Sequence, residues 1–555
     1  MNIKRYTCYL AATLLFSSCA LDDKKDLGSI TEVWNDAGYA EAYLNKLYLD
    51  NLPAWDNNVA DKSDESDGGS GIMDGQLTTN SIDVWHYEEI RNINFFLEKI
   101  GTGDIPEDVK AEFIAQALVL RAWKYFDMIR VYGGVPLILH TQQLTDDLYV
   151  KRDKTSDCIA FLIADLDKSA QNLPWKWNGE DEGRITKAAA LALKGRILLY
   201  NASPQFNPNN DVSRWETAYN ANKEALDLLE ENGYGLFESF EKIWFEEMNK
   251  EVIFVQRYQE PGRVHNWDAA TRPLSEAQGA KGANQPTWEM VESFPMADGS
   301  SIKISETYDS ALYWKNRDPR FYSTIAFNSC IWELSNKANR REWTYIGSTL
   351  NNPTSTGFYC RKAINTTYTP YFSTKSSTDW IEIRFAEVLL NYAECAAEMG
   401  KKSETIDALK QIRKRAGIKA GENGLYGLYA NGSKNELVSA VINERKVELA
   451  FEGKRYWDLR RRRLFEKELN GTVRHGVWPK LIISEEEFNL MKDTIDFESN
   501  YASYFRDSIV VLDKKYDINF LDNYYFYAIP TKHLETNSNL QQTQGWDDGT
   551  FNPLD

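Results

Sequence analysis

The segment 443–463, NERKVELAFEGKRYWDLRRRR, constrains the fold of this chain more than any other stretch of its sequence. Glu444, Glu448 and Glu452 are spaced four residues apart, so a helix places their three carboxylates on one face. A basic and aromatic stretch that ends in the arginines 460–463 follows directly. The carboxylates could form an acid–base site or an anion clamp, or they could pair with these arginines and hold two helices together. We favour the structural pairing, because it leaves no cation free for a ligand.

This segment resembles the C-terminal signature of the SusD/RagB family, the surface-exposed, nutrient-binding outer-membrane lipoproteins of Bacteroidetes. In that family the signature reads approximately E-R-x-x-E-L-x-F-E-G-x-R-x-x-D-L-R-R. The chain matches it at Glu444, Arg445, Glu448, Leu449, Phe451, Glu452, Gly453, Arg455, Asp458, Leu459, Arg460 and Arg461. Further family blocks occur at 111–136, 186–206, 316–320, 356–362, 384–394, 527–530 and 544–546, so the resemblance extends along the chain.

Residues 1–18 read as a lipoprotein signal peptide. Two basic residues precede an apolar run at 9–16, and two serines lead into Cys19. Phe16 departs from the leucine that is usual at this position of a lipobox. Several acyl chains on Cys19 would give a firm anchor, whereas a single chain binds reversibly. The resemblance implies that this anchor lies in the outer membrane and that the protein faces the cell surface.

The charge balance excludes some classes of partner. The 64 lysines and arginines are outnumbered by 82 acidic residues, which gives a formal net charge of −18. Removal of the two basic residues of the signal peptide (−18 − 2) would make it −20. Such a chain is unsuited to nucleic acid or to an anionic membrane surface. No later run of 18 apolar residues predicts a membrane span.

Paired helices indicate a mainly α fold. Residues 184–203 and 215–229 form one predicted hairpin, and 380–399 and 404–416 form a second. The first helix carries small residues at Ala188, Ala192 and Gly195, which suit close helix packing. Further helices are predicted at 36–48, 85–100, 106–131 and 156–173. The resemblance implies that such pairs form a tetratricopeptide-like superhelix.

The helical pattern is interrupted by residues 233–379, which are rich in turns and contain short strand-like runs such as 251–257. We therefore divide the chain after the signal peptide into three regions. Residues 19–232 form an N-terminal helical region, 233–379 an inserted loop-rich lobe, and 380–555 a C-terminal region that completes the helical lobe. The resemblance implies that the loop-rich lobe holds the ligand.

No motif for catalysis or metal binding stands out. The five histidines are not paired at metal-ligand spacing, and the chain has no G-x-S-x-G elbow. Asp61, Asp64, Glu65 and Asp67 could surround a calcium ion, but they lack the EF-hand order, so we expect a solvated acidic loop without a metal. No cofactor is expected. Four later cysteines are expected to be buried free thiols: Cys158, Cys330, Cys360 and Cys395. A bridge between Cys330 and Cys360 is the alternative that the sequence leaves open.

Aromatic residues in loops supply the candidate binding site. The chain has 17 tryptophans and 30 tyrosines, and sugar rings stack on such side chains while their hydroxyls bind nearby polar groups. Trp267 is the best single candidate because Arg263, His265 and Asn266 precede it in a polar loop after a predicted strand. Trp55, before the acidic loop, and Trp332 and Trp343, around the polar stretch 333–342, complete the set of predicted ligand-binding residues. For each of the four tryptophans, a structural anchor is an equally open alternative.

These observations predict a non-catalytic, surface-anchored lipoprotein that captures an oligosaccharide. The resemblance implies that it delivers the glycan to a SusC-like TonB-dependent transporter in the outer membrane. Two alternatives remain open. The ligand could be a peptide or another nutrient, as in RagB-like relatives, or the protein could be a surface glycosidase, which would need two carboxylates across a cleft.

Overall fold

The computed structural model describes residues 31–279, 282–347 and 354–555. The predicted signal peptide and Cys19 lie outside these residues. The α-helices are α1 (Ala37–Asn51), α2 (Ser70–Met73), α3 (Tyr87–Ile100), α4 (Glu107–Tyr132), α5 (Thr155–Asn172), α6 (Lys187–Ala202), α7 (Val212–Glu231), α8 (Trp267–Thr271), α9 (Trp288–Ser293), α10 (Pro319–Thr324), α11 (Phe385–Glu398), α12 (Lys402–Arg415), α13 (Lys434–Glu448), α14 (Arg455–Arg461), α15 (Glu485–Met491), α16 (Phe497–Asn500) and α17 (Thr531–Thr536). None of the helices in these ranges is both long and apolar enough to cross a membrane.

Within the described ranges, six short strands form three separate antiparallel pairs. They are β1 (Val252–Gln256), β2 (Ile325–Ala326), β3 (Tyr359–Cys360), β4 (Trp380–Arg384), β5 (His475–Leu481) and β6 (Phe505–Val511). β1 pairs with β4, β2 with β3 and β5 with β6. The architecture is therefore mainly helical, as predicted, with little sheet to organise the rest of the chain.

The helical lobe is a series of helices in which each packs on the next: α3, α4, α5, α6, α7, α11, α12 and α13. The chain leaves this series after α7 and returns at α11, so the lobe is discontinuous in sequence. Gly195 shows why α6 and α7 can lie so close together. A Cβ atom at this position would lie only 2.5 Å from the Asn222 amide oxygen. Because glycine has no Cβ, the Asn222 side chain can approach and donate to the Gly195 carbonyl at 3.0 Å.

The predicted helix 380–399 begins five residues later than expected. Residues 380–384 form β4, which pairs with β1 across a bulged register, and α11 starts at Phe385. Every residue of β4 is buried, so periodicity alone could not separate a buried strand from the helix that follows it. The pairing with β1, which lies well over a hundred residues earlier, decides the backbone conformation here.

A second core lies under the loop-rich part of the chain. It is dominated by aromatic side chains from residues between 267 and 364, and residues 447–451 and 477–505 also pack into it. Residues 518–546 return to the core of the helical lobe. The C-terminal region therefore contributes to both cores, because the hairpin of β5 and β6 and the helices α15 and α16 pack against the loop-rich lobe.

The carboxylates of the segment 443–463 are buried and fully engaged in ion pairs. Glu444 pairs with Arg320 and Arg413, and Glu448 pairs with Arg320, Arg384 and Arg415. Glu452 pairs with Arg384 and Lys362. The predicted structural role is confirmed, whereas the predicted partners are wrong, because these cations come from distant parts of the chain.

The arginines that follow Gly453 bind other partners. Phe451 and Gly453 both have positive φ, so the chain turns sharply between α13 and α14 and directs the two sets of side chains to different sides. Arg455 pairs with Asp64, and Arg461 pairs with Glu394. Arg460 donates to the carbonyls of Tyr524 and Tyr525. Each arginine thus ties α14 to a different distant segment.

Candidate functional site

Five of the predicted ligand-binding residues come together in one place. We call the group Trp55, Arg263, His265, Asn266 and Trp267 the aromatic loop cluster. The ring of Trp55 stacks on that of Trp267 with centroids 4.6 Å apart, and on the His265 ring at 5.2 Å. The indole nitrogen of Trp55 donates to the carbonyl of Thr378 at 2.8 Å. Two loops that are more than 200 residues apart in sequence are thereby joined through their aromatic rings.

His265 is held in one orientation and is uncharged at neutral pH. Its Nε2 lies 2.8 Å from the Thr378 carbonyl, and its Nδ1 accepts from the Trp267 backbone N–H at 3.2 Å. This pattern requires the proton on Nε2, since a carbonyl can only accept. Burial lowers the pKa of His265 to about 4. Both ring nitrogens are therefore occupied within the protein, and the role of His265 is to position the loop.

Trp267 lies beneath this cluster and not in an exposed loop. It is the first residue of α8, only 1% of its surface is exposed, and its indole N–H donates to the Lys362 carbonyl at 3.3 Å. The prediction of a loop is wrong at this position, because Asn266 ends the loop and the indole turns inward against Trp55. In this conformation Trp267 supports the ring of Trp55, which is half-buried and nearer to the surface.

The exposed rim of the cluster is polar. Asn266 is exposed and accepts from the side-chain amide of Asn57 at 2.9 Å. Arg263 lies over the ring of Tyr258 at 5.2 Å, at the end of a tight loop closed by paired backbone hydrogen bonds with Gln259. The rim therefore offers amide and guanidinium groups next to stacked rings, which is the combination that sugar hydroxyls and sugar C–H faces require.

Two exposed aromatic residues next to the cluster were missed from the sequence. Tyr371 is 56% exposed and Phe372 is 48% exposed, and their ring centroids lie 5.2 Å apart. They stand at the start of the short 3-10 helix Phe372–Lys375, which packs on α8, and the next residue, Ser376, exchanges backbone hydrogen bonds with His265. The run Tyr-Thr-Pro-Tyr-Phe at 368–372 was the available signal, because its aromatics flank a proline within a turn-rich stretch.

Trp332 and Trp343 do not join the cluster. Trp332 is 1% exposed and packs within the second core. Trp343 packs edge-on against Phe488 at 5.2 Å and against Phe497 at 5.4 Å. The indole of Trp343 therefore fills space between α15, α16 and the loop-rich lobe, whereas Trp332 is buried elsewhere in the second core. The assignment of ligand contact to these two residues stays a prediction.

The acidic loop is buried, contrary to the prediction that it is solvated. Asp64 is bound by Arg455 at 2.8 Å and by Lys446 at 2.9 Å, and these cations hold its pKa well below the usual range in spite of burial. Glu65 accepts from the backbone N–H of Phe451 at 3.0 Å. The loop therefore anchors the turn between α13 and α14. Within the described ranges no group of three or more His, Cys, Asp or Glu side chains is arranged to hold a metal ion.

Glu65→Gln is expected to change how stability depends on pH. Burial raises the pKa of Glu65 from an ordinary value of 4.5 to about 7, so the folded state holds a proton that the unfolded state releases between these values. The contribution of Glu65 to stability is therefore complete below pH 4.5 and is lost as the pH rises towards 7. We expect the free energy of unfolding of Glu65→Gln, relative to that of the wild type, to increase by about 2–3 kcal/mol between pH 4.5 and pH 8.

Urea unfolding of both proteins at pH 4.5 and pH 8 checks this expectation. Glu224→Gln is the matched control, because Glu224 is exposed on α7 and makes no ion pair among the described residues. If the free energies of unfolding of Glu65→Gln and the wild type differ by the same amount at the two pH values, the role given to Glu65 is contradicted.

Cysteines play no visible part in the site. Cys158, Cys330, Cys360 and Cys395 are all buried free thiols. Burial raises the pKa of Cys360 to about 12, so this thiol is not ionised at neutral pH. The prediction of buried thiols is confirmed, and the bridge that was left open between Cys330 and Cys360 is not formed.

Comparison with known proteins gives a consistent result. Residues 250–546 match the SusD family, and residues 30–199 match a family described as starch-binding and associating with the outer membrane. The SusD-like protein P38 of Formosa agariphila is 24% identical over 457 residues, which cover 76% of this chain and 82% of that protein. A SusD-like protein of Bacteroides ovatus is 24% identical over 404 residues, covering 69% of this chain and 66% of the relative.

Comparison with solved structures shows that the similarity includes the fold. A SusD-like protein of Bacteroides fragilis superposes with a TM-score of 0.77 at 25% identity, covering 93% of this chain and 99% of its own. A second structure from that organism, a SusD-like carbohydrate-binding protein, gives a TM-score of 0.73 at 22% identity, covering 92% of this chain and all of its own. A laminarin-binding SusD-like protein gives 0.60 at 19% identity, covering 92% of this chain and all of its own.

Proposed function

This chain belongs to the SusD family, and we propose that it is a non-catalytic lipoprotein of the cell surface that captures an oligosaccharide. The observation that carries the proposal is the match of residues 30–199 to a starch-binding family associated with the outer membrane, next to a match of 250–546 to the SusD family. Relatives named as carbohydrate-binding and laminarin-binding share the fold, which supports a glycan as the ligand.

We propose the aromatic loop cluster, extended by Tyr371 and Phe372, as the surface that binds the glycan. Trp55 and the two exposed rings supply apolar faces, while Arg263 and Asn266 supply hydrogen bonds at the rim. A buried carboxylate next to the cluster, that of Asp268, accepts from Ser376 at 2.6 Å and from the backbone of Asn365 at 2.8 Å. That carboxylate is committed to holding the loops together, which supports binding without cleavage.

Family membership supports the remaining parts of the proposal. Cys19 would carry the lipid anchor to the outer membrane, and a SusC-like TonB-dependent transporter would receive the glycan. The loop-rich lobe at 233–379 would hold the ligand, and the helical lobe would be the scaffold that docks on the transporter.

Removing the two exposed rings is expected to weaken glycan binding without unfolding the protein. Each aromatic ring that stacks on a planar ligand contributes roughly 1 kcal/mol or more, so the double variant Tyr371→Ala/Phe372→Ala should bind at least about tenfold more weakly. Isothermal titration with the oligosaccharide that the wild type binds measures this change.

The control is Tyr429→Ala. Tyr429 is 71% exposed and lies between α12 and α13, away from the aromatic loop cluster. The Tyr429→Ala variant should bind the oligosaccharide with the affinity of the wild type. A double variant that binds as tightly as the wild type would remove Tyr371 and Phe372 from the site, and the same titration of Trp55→Ala would then show whether the cluster takes part at all.

A further inference from the structure

A cavity adjoins the aromatic loop cluster on the side of the helical lobe. It is a cleft of about 250 Å³ between α4, α6, the residues that follow α1 and the turn after α13. We call it the Lys124 cleft, after the lysine of α4 that lines it. Trp380 forms part of its wall and contacts the ring of Trp55 edge-on at 4.9 Å, so the cleft and the cluster share a boundary. Its volume lies just below the range of ~300–1,000 Å³ typical of ligand sites, which suits one sugar unit.

The cations that line this cleft are paired, with one exception. Arg130 pairs with Asp127, Arg196 pairs with Glu382 and Glu387, and Lys454 pairs with Glu382 at 3.0 Å. Lys124 makes no hydrogen bond or ion pair within the described ranges.

The lysine is also partly withdrawn from water. Burial lowers the pKa of Lys124, and the carboxylates nearby do not offset that effect. The cleft therefore contains an ammonium group that forms no direct ion pair within the described ranges, although the charges of Glu89, Asp127 and Asp50 act on it from a longer distance.

Two uncharged polar groups of the cleft also lack partners. Asn51 is completely buried, and its side-chain oxygen accepts no hydrogen bond, although its amide donates to the Leu47 carbonyl at 2.7 Å. Tyr200 lines the cleft from α6, and its hydroxyl makes no hydrogen bond to any described residue. Buried polar groups in proteins are nearly always satisfied, so the unpaired buried oxygen of Asn51 at this cavity points to a polar ligand.

The aromatic walls of the cleft are not free to stack on a sugar. The guanidinium of Arg130 covers the ring of Trp457 at 3.8 Å, and the ammonium of Lys454 lies over the ring of Trp380 at 5.8 Å. A ligand in this cleft is therefore held by charge and hydrogen bonds. This sets the cleft apart from the aromatic loop cluster, next to which the rings of Tyr371 and Phe372 are exposed.

We propose that the Lys124 cleft binds the acidic group, a carboxylate or a sulfate ester, of a sugar unit that belongs to the captured glycan. The inference rests on the proposed function, because it assigns a substrate class to the same ligand. An acidic glycan would be repelled by a chain with a formal charge of −18, so its binding requires a local cation with no carboxylate already attached. Lys124 supplies that charge, and Asn51 and Tyr200 supply an acceptor and a hydroxyl for the sugar.

The test compares acidic and neutral oligosaccharides of the same backbone. The full chain is extracted in a polyoxyethylene detergent, which contains no sugar, and is titrated calorimetrically with oligouronates, sulfated oligosaccharides and their neutral counterparts. We expect the wild type to prefer one of the acidic series. Lys124→Met should weaken binding of that series at least tenfold and leave neutral ligands unchanged, whereas Lys124→Arg should restore most of the affinity. Lys168→Met, at an exposed position of α5, is the control for net charge.

The outcomes separate this inference from the proposed function. Binding of neutral oligosaccharides alone, or acidic binding that Lys124→Met does not weaken, overturns the cleft assignment and leaves glycan capture standing. Absence of binding to every oligosaccharide overturns both. The two acidic series distinguish a carboxylate from a sulfate ester.

A measurement on the wild-type protein tests the inference even if Lys124→Met does not fold. Lysines of the wild type are acetylated with and without the acidic oligosaccharide, and the modified peptides are quantified by mass spectrometry. Selective protection of Lys124 by the acidic ligand and not by its neutral counterpart supports the inference, and equal acetylation under all conditions overturns it.

Discussion

Replacing Glu448 with alanine is expected to lower the free energy of unfolding by about 3–5 kcal/mol. Glu448 is completely buried, and its carboxylate contacts three arginines: Arg320 at 2.8 Å, Arg384 at 2.7 Å and Arg415. Removing one partner from a buried ion pair leaves an uncompensated charge in a medium that cannot solvate it, and this desolvation cost is the source of the loss.

The network around Glu448 is balanced in charge, which makes a single removal costly. It contains five carboxylates (Glu251, Asp318, Glu444, Glu448 and Glu452) and five cations (Arg320, Lys362, Arg384, Arg413 and Arg415). Loss of Glu448 leaves an excess of one positive charge. The cations come from α10, from the loop after β3, from the end of β4 and from α12, so the network joins both lobes.

Chemical denaturation of Glu448→Ala beside Glu224→Ala measures this effect. Glu224 is an exposed residue of a helix, so its replacement should change stability by less than about 0.5 kcal/mol. A Glu448→Ala protein as stable as the Glu224→Ala protein would show that the network is not essential to the fold.

Asp64→Ala is expected to lower the free energy of unfolding by a similar amount, about 3–5 kcal/mol, because it removes a different set of buried ion pairs. Asp64 is 3% exposed and is the shared partner of Arg455, at 2.8 and 3.0 Å, and Lys446, at 2.9 Å. Its loss would leave two buried cations next to each other. It would also release the 61–69 loop from the turn between α13 and α14, where Glu65 contacts the Phe451 backbone.

Asp167→Ala is the matched control for this variant. Asp167 also pairs with a lysine, Lys194 at 2.6 Å, but on the surface of the helical lobe, where such a pair contributes 1 kcal/mol or less. Thermal and urea unfolding of the two variants should differ by several kcal/mol. Equal stabilities would mean that the 61–69 loop is not held by Asp64.

The sequence predicted the helical pairs because each pair is a local pattern. The Ala-rich face of α6 and the small residue Gly195 indicate close packing without knowledge of any distant residue. The fold class follows from these helices, and SusD-like structures support it. Strand β4 was missed because its partner β1 lies far away in sequence and because every residue of β4 is buried.

Distant pairing also limited prediction of the ion pairs and of the site. The role of Glu444, Glu448 and Glu452 was predicted, but Arg320 and Arg384 could not be identified as their partners from spacing. In the site, the polar residues before Trp267 suggested exposure, whereas the tertiary contact with Trp55 buries its ring. The exposed pair Tyr371 and Phe372 was overlooked because no periodic pattern distinguishes a surface aromatic in a loop from one in a core.

Glycan capture without cleavage is tested by titrating the full chain, in a detergent that contains no sugar, with a panel of neutral and acidic oligosaccharides. The same mixtures are then separated by chromatography to detect shortened products. We predict saturable binding of at least one oligosaccharide, which is recovered intact after prolonged incubation. Shortened products would contradict the binding role and favour a glycosidase, and absence of binding to the whole panel, with binding of a peptide instead, would contradict the choice of a glycan as ligand.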